Sequence, residues 1–177
     1  MSRAKLLIII FVLCSAVIPI RLSAAEQVRE YQLNAVFMVK LARYVDWPNS
    51  SQTISRTFCI IKDENVFRFL ESQADKVNIK VIKTSAQKIS QEELTTCDVI
   101  YVGKTVTDDQ VAQISDVVAN LPSLLISNKT NFVRQNGHVE IYLSNSRPLF
   151  KVNLRAAKRL GITFSSKLLE LAKVIVK

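Results

Sequence analysis

Apolar positions recur with a helical period early in the chain and in short, strand-like runs further along. Residues 26–45 contain neither glycine nor proline, and they carry an apolar stripe at helical spacing formed by Val28, Tyr31, Ala35, Met38, Ala42 and Val45. The helix is predicted to end at Asp46-Trp47-Pro48, because a residue before proline is disfavoured in the α region. Residues 49–56 are polar and predict a loop.

Short apolar runs then alternate with amphipathic segments. Strands are predicted at residues 57–61, 79–82, 98–102 and 123–126, with helices over residues 66–74, from Ser90 and over residues 107–120. Both Ser90 and Thr107 are followed three residues later by Glu or Gln, the pattern of a capping box. Strands that are apolar on both faces and separated by helices indicate a parallel sheet in a three-layer α/β/α sandwich.

The pattern changes after residue 126 and indicates an antiparallel hairpin. Residues 139–143 alternate between apolar and polar, residues 145–148 form a turn, and residues 149–152 can return as the second strand. Asn153 is then predicted to cap a helix that Gly161 ends.

A last helix is predicted from Ser165-Ser166, with an apolar side made of Leu168, Leu169, Leu171, Ala172 and Ile175. The expected fold class is therefore α/β: a three-layer α/β/α sandwich with a mainly parallel sheet, a C-terminal β-hairpin and two closing helices.

The first 25 residues have the pattern of a secretory signal peptide. Arg3 and Lys5 form a basic start, residues 6–20 are almost wholly apolar, and Ser23-Ala24-Ala25 offers the small residues that a signal peptidase reads. The apolar run is short for a membrane span. Cleavage after Ala25 would leave residues 26–177 as one exported domain.

Charge and composition exclude some partners. The formal net charge is +9, and removal of residues 1–25 leaves 21 basic against 15 acidic residues, a net charge of +6. The basic residues are spread out, so nucleic acid is not an expected partner. A mildly basic face would suit an acidic partner or phospholipid head groups, and a solvated surface is the simpler interpretation.

Two cysteines remain in the mature chain, Cys59 and Cys97. In an oxidising compartment two cysteines most often form one disulfide, and two buried free thiols are the alternative. Each cysteine lies near the start of a predicted strand, the first or the third. If these strands are neighbours in the common 2-1-3 order, both thiols lie at the same end of the sheet.

The sequence offers little for catalysis, and no catalytic, metal or cofactor site is predicted. His138 is the only histidine, and its position at the start of a hairpin strand favours a surface or rim location. One His and two cysteines that are expected to pair do not supply the ligands of a zinc site. Paired carboxylates such as Asp108-Asp109 lie in helix first turns, where they complement the helix dipole.

Two features favour binding. Open α/β sheets place ligands at the carboxyl ends of their strands, and these ends carry a candidate ligand rim of Asp63, Lys104 and Asn128. The second feature is the aromatic end of the first helix, where Tyr44 is expected in the core. Trp47 is expected either to pack on the sheet or to contact another protein.

Several segments together resemble the YfiR family of exported regulators. Residues 37–48, which end in Tyr44-Val45-Asp46-Trp47-Pro48, resemble the family's F-x-x-Y-V-x-W-P segment, and residues 58–61 and 97–102 resemble its first and third strands. Residues 150–172 resemble its closing segment. The family usually has paired glycines where this chain has Asn136-Gly137, and Asn tolerates the left-handed conformation that such a turn needs.

The resemblance implies a non-enzymatic periplasmic protein that binds the periplasmic sensor region of an inner-membrane diguanylate cyclase and represses it. Cyclic di-GMP and biofilm formation would then fall, and contact with the membrane would occur only through the partner. We expect Trp47, Pro48, Arg147 and Lys151 to contribute to the binding surface. A homodimer would suit a dimeric partner, although no residue pattern requires one. The alternative is a periplasmic small-solute-sensing domain that feeds a histidine kinase or a transporter.

Overall fold

The computed structural model describes residues 19–48, 55–87, 89–145 and 147–176, so most of the predicted signal peptide lies outside the described residues. The helices are α1 (Pro19–Ala42), α2 (Glu64–Val77), α3 (Gln91–Leu94), α4 (Asp108–Val117), α5 (Leu154–Arg159) and α6 (Ser166–Leu171), with a 3-10 turn at Phe132–Arg134. The strands are β1 (Val45–Asp46), β2 (Arg56–Ile61), β3 (Ile79–Thr84), β4 (Val99–Val102), β5 (Leu124–Ser127), β6 (Val139–Ser144), β7 (Arg147–Asn153), β8 (Thr163–Phe164) and β9 (Val174–Val176).

Seven of these strands form one sheet in the order β3-β2-β4-β5-β6-β7-β9. Strands β3, β2, β4, β5 and β6 are parallel, β7 pairs antiparallel with β6, and β9 pairs parallel with β7. The 2-1-3 order of the first three predicted strands and the C-terminal hairpin are both present. The predicted fold class is confirmed.

Neighbouring residues of the central strands fill two separate apolar layers. Phe58 of β2 packs in one layer with Met38 of α1 and Leu70 of α2. The next residue, Cys59, packs in the opposite layer with Ile114 of α4. Side chains alternate between the faces of a strand, so a fully apolar strand supplies both layers and needs helices on each side.

The first helix extends before the predicted residues and ends earlier than predicted. Its described part, Pro19–Ala42, includes the predicted cleavage position at Ala25, and the helix ends at Ala42, earlier than predicted. Val45–Asp46 instead forms β1 and pairs with β8, with Val45 opposite Phe164. Pairing with a distant segment thus overrides the helical spacing that includes Val45.

The prediction of a last helix is wrong beyond Leu171. Helix α6 spans Ser166–Leu171, and Val174–Val176 joins the sheet as β9 beside β7. A β-branched Val-Ile-Val run suits a strand, and its addition covers backbone groups that a terminal hairpin strand would leave unpaired. The second hairpin strand is therefore not a free edge at residues 151–153.

A disulfide joins Cys59 to Cys97, with their Cα atoms 5.8 Å apart. Strands β2 and β4 are neighbours, and Phe58 lies opposite Val99, so Cys97 just before β4 lies beside β2. Both cysteines are buried in the layer that includes α4. The predicted pairing is confirmed, and the alternative of two free thiols is wrong.

Candidate functional site

The carboxyl ends of β2, β4 and β5 meet at one edge of the sheet, where the sequence predicts a ligand rim. Strands β2 and β4 approach closely there, because the Gly103 N–H donates to the carbonyl oxygen of Ile61 at 2.9 Å. A Cβ atom on Gly103 would lie 2.5 Å from the carbonyl oxygen of Lys62. Glycine at this position is therefore what lets the two strand-end loops come together.

Asp63 follows β2 and begins α2. Its Oδ1 atom accepts a hydrogen bond from the Val66 N–H at 3.1 Å, which makes it the N-cap of the helix. Burial raises the pKa of the Asp63 carboxyl above its usual value, against the opposing effects of the Val66 hydrogen bond and of the nearby Lys104 charge. The Asp63 carboxylate is thus held by its Oδ1 atom, and the charges of Lys104 and Glu30 also act on its pKa.

Helix α1 extends over this edge and adds Glu30 and Asn34. The Nζ atom of Lys104 lies 3.4 Å from each carboxylate oxygen of Glu30, and the Nδ2 atom of Asn128 lies 3.4 Å from its Oε1 atom. Asn34 is 1% exposed and lies beside Tyr101 of β4. The contacts of Glu30 therefore bring together two of the predicted rim residues, Lys104 and Asn128.

Three buried oxygen atoms at this edge have no hydrogen-bond partner among the described residues. They are the Tyr101 hydroxyl and the Oδ1 atoms of Asn34 and Asn128. Burial raises the pKa of the Tyr101 hydroxyl well above its usual value, and the carboxylates of Asp63 and Glu30 add to that effect. Buried polar atoms normally have partners, so these atoms mark a candidate binding site. We call this site the strand-end cluster, formed by Glu30, Asn34, Asp63, Tyr101, Lys104 and Asn128.

A second candidate site is a groove near the amino ends of β2 and β3. Its volume is about 470 Å³, and it shares Val39, Arg43 and Val77 with a hollow of about 260 Å³ between α1 and α2. We call the two together the basic groove, lined by residues that include Val36, Val39, Lys40, Arg43, Trp47, Arg56, Phe69 and Val77. Its described lining residues include three cationic side chains and no carboxylate.

The two aromatic residues at the end of α1 differ in exposure. Trp47 is 8% exposed and belongs to the core layer beneath α1, whereas Tyr44 is 49% exposed. Trp47 thus takes the first of its two expected roles, packing within the fold, whereas the expected core position of Tyr44 is wrong, because the β1–β8 pairing turns the chain at this point. Pro48 is half-buried against Gly161, whose added Cβ would lie 3.1 Å from the Pro48 Cβ. A partner-binding role for Trp47 and Pro48 stays a prediction.

The two hairpin residues of the predicted binding surface, Arg147 and Lys151, differ in their contacts. Arg147 is exposed at the turn. Lys151 is held in place, because its Nζ atom lies 2.6 Å from Oε1 of Glu140, which is 2% exposed, and 5.3 Å from the centroid of the Tyr142 ring. Lys151 therefore neutralises a buried carboxylate, and partner binding by either hairpin residue stays a prediction.

His138 is buried, so its expected surface or rim position is wrong. Its side chain lies within the fold at the start of β6, and its Nδ1 atom accepts a hydrogen bond from the Leu125 N–H at 2.9 Å. Burial lowers the pKa of His138 to about 4, and the Arg159 charge adds to the effect. The imidazole is neutral and its Nδ1 atom has a hydrogen-bond donor. His138 therefore has a structural role, linking β5 to the start of β6.

The described ranges contain neither a helix that could span a membrane nor a cluster of metal ligands. No helix there has the length and apolarity that a membrane span requires. In the same ranges, no three side chains among His, Cys, Asp and Glu converge to hold a metal ion.

A family model described as YfiR/HmsC-like matches residues 31–173, most of the chain. The chain belongs to this family. The family is one of regulatory, non-catalytic periplasmic proteins, which suggests a regulator in cyclic di-GMP signalling. No curated protein sequence matches this YfiR/HmsC-like chain.

Two solved structures share its fold at low sequence identity. A conserved domain protein from Vibrio cholerae O1 biovar El Tor is 12% identical, with a TM-score of 0.62 over 82% of this chain. The ABC domain in complex with L-Trp from Streptococcus pneumoniae is 14% identical, with a TM-score of 0.53 over 80% of this chain. This chain spans 60% and 62% of those two chains, and the similarity shows the fold alone.

Three members of the strand-end cluster in this YfiR/HmsC-like protein are absent from the sequence prediction. Asn34 is a polar residue four positions before the buried Met38, within the apolar stripe of α1. Tyr101 is a tyrosine inside an otherwise aliphatic buried strand, and its hydroxyl needs a partner. Both signals are visible in the sequence, whereas Glu30 is identified only by the position of α1 over the strand ends.

Proposed function

We propose that the protein binds the periplasmic sensor region of an inner-membrane diguanylate cyclase and represses it, lowering cyclic di-GMP and biofilm formation. The observation that carries this proposal is the YfiR/HmsC-like match over residues 31–173. The disulfide between Cys59 and Cys97 supports it, because such bonds persist in an oxidising compartment such as the periplasm.

Repression requires the protein to bind one state of the cyclase more tightly than the other. A ligand with equal affinity for both states shifts no equilibrium, however tightly it binds. The proposed complex therefore stabilises the inactive arrangement of the sensor region. Any signal that releases the protein from this complex restores cyclase activity.

The basic groove is the surface that we assign to the cyclase. Its floor is apolar, with Val39 and Val77 shared by both parts, and Arg43 also lines both. An apolar segment with flanking carboxylates on the sensor region would match this surface, because complementary charge steers association and fixes register. Trp47 would then act as a wall of the groove, covered in part by Arg56.

Measurement of intracellular cyclic di-GMP in the native host tests repression. Deletion of the gene should raise cyclic di-GMP, and the exported protein should reverse the rise, whereas a version without residues 1–25 should not. Unchanged cyclic di-GMP in the deletion strain under several growth conditions would contradict repression.

A charge reversal tests the groove. Arg43→Glu places a carboxylate on the exposed rim of the basic groove, so the variant should fold normally, lose affinity for the sensor region and fail to restore repression. Lys167→Glu is the matched control, because Lys167 is an exposed residue of α6 outside the groove lining. Equal binding by both variants would move the docking surface elsewhere.

A solute-sensing domain that feeds a histidine kinase or transporter is the second candidate function. The strand-end cluster favours it, because three buried oxygen atoms there have no partner among the described residues. Saturable binding of a small solute at this cluster, together with no effect of the gene on cyclic di-GMP, would support this function over the first.

A further inference from the structure

We propose that the strand-end cluster binds the primary ammonium group of a small solute. This site is separate from the basic groove, and amine binding there does not depend on which membrane protein the chain regulates. It rests on the unpartnered oxygen atoms, on the charge of Asp63 and on the way in which Glu30 is already engaged.

The strand-end cluster holds buried acceptors that lack donors within the described part of the chain. The Oδ1 atoms of Asn34 and Asn128 are acceptors, and the Tyr101 hydroxyl can accept through a lone pair. The two amide oxygens are buried without a partner among the described residues, whereas the Tyr101 hydroxyl can also donate and lies beside the Asp63 carboxylate. A ligand that satisfies the two amide oxygens must bring donors, and an ammonium group brings three N–H donors and no acceptor.

The two carboxylates of the strand-end cluster differ in their cationic partners. Glu30 is paired with Lys104, at 3.4 Å from the Lys104 Nζ atom. Among the ion pairs of the described residues, none includes Asp63, whose Oδ1 atom is occupied by the backbone of α2. One carboxylate at the edge therefore lacks a direct cationic partner, and a bound cation would supply it.

The chemistry of the cluster discriminates between classes of ligand. An anion would meet the carboxylates of Asp63 and Glu30, and Lys104 is already engaged by one of them. A calcium ion prefers six to eight oxygen ligands that include several carboxylates, which this mixed set with a lysine does not resemble. A quaternary ammonium ion carries no N–H donors and would leave the oxygen atoms unpartnered. A primary ammonium group meets both the charge and the hydrogen-bonding requirement.

Titration of the purified protein with ethanolamine and putrescine tests the proposal, followed by NMR of the side-chain amides of Asn34 and Asn128. Both amines should shift these resonances saturably. Tetramethylammonium, which has the charge without the donors, should not. Absence of a saturable shift with either amine, or an equal shift with tetramethylammonium, would overturn the proposal and leave bound water as the partner of these atoms.

Asp63→Asn isolates the charge, because Asn caps a helix as well as Asp does and can keep the hydrogen bond from Val66. Loss of a charge-assisted contact should weaken amine binding about tenfold at unchanged melting temperature. Asp109→Asn removes the same charge from an exposed position in the first turn of α4 and should bind as the parent protein does. Equal amine affinity in Asp63→Asn and the parent would also overturn the proposal.

Discussion

The guanidinium group of Arg56 lies 4.7 Å from the centroid of the Trp47 ring, and its Nη1 atom donates to Oδ1 of Asp98 at 2.9 Å. The other carboxylate oxygen of Asp98 accepts from the Thr57 N–H at 2.7 Å. Arg56 is therefore held on one side by the Asp98 carboxylate, which the Thr57 N–H fixes in place, and on the other side by the face of the Trp47 ring. Cation–π contact of this kind adds to the packing of the ring.

This arrangement predicts that Trp47 is a stability residue. Trp47→Ala should lower the free energy of unfolding by about 3–5 kcal/mol, because it empties a buried site and removes the surface beneath Arg56. Urea unfolding followed by circular dichroism measures the change. Tyr44→Ala is the neighbouring control, and its exposed side chain should change stability by only about 0.5 kcal/mol. Equal losses in the two variants would contradict the assignment.

The regular part of the fold could be predicted from the sequence because its signals are local. Each central strand is an apolar run, and Asp63, Ser90, Thr107, Asn153 and Ser165 all accept the capping hydrogen bonds of the helices that follow them. The short pairings could not be predicted in this way. Strands β1 and β9 exist because distant segments offer them backbone partners, and a local pattern contains no information about such partners.

The strand-end cluster likewise contains residues that could be predicted from local sequence and residues that could not. Asp63, Lys104 and Asn128 could be predicted because carboxyl ends of parallel strands share one edge. Glu30 could not, because its role depends on where α1 crosses the sheet. The burial of Trp47 likewise depends on the pairing between β1 and β8, so an aromatic residue beside a proline does not by itself indicate exposure.

The disulfide should contribute strongly to stability. It closes a sequence separation of 38 residues between buried cysteines, so removal in Cys59→Ala/Cys97→Ala should cost about 2–5 kcal/mol. Chemical unfolding of the double variant beside the oxidised parent measures the loss. A double variant as stable as the oxidised parent would show that the bond does not constrain the unfolded chain.

Loss of the ion pair at the hairpin should destabilise the protein through Glu140. Lys151→Met leaves a carboxylate that is 2% exposed without its cation, and we expect a cost of about 3 kcal/mol. Lys151→Met/Glu140→Gln removes the unpaired charge and should recover much of that loss. Arg147→Met at the exposed turn is the control for charge alone. If the double variant were no more stable than the single one, the buried charge would not be the cause.

Acidification should destabilise the protein through His138. Burial lowers the pKa of this imidazole to about 4, against an ordinary value of 6.5 in the unfolded chain. Between these values the unfolded state binds the extra proton, so the stability from neutral His138 is complete above about pH 6.5 and is lost as the pH falls toward 4. At about 1.4 kcal/mol per pKa unit, the loss is about 3 kcal/mol.

His138→Asn separates this effect from the titration of carboxylates. The Asn Oδ1 atom can take the place of Nδ1 as acceptor for the Leu125 N–H, but it does not titrate. Urea unfolding across the range from about pH 7 to about pH 4 should show a steeper decline for the parent than for the variant. Parallel declines would mean that His138 is protonated in the folded state as readily as in the unfolded chain, so that its Nδ1 atom does not serve as a neutral acceptor for the Leu125 N–H.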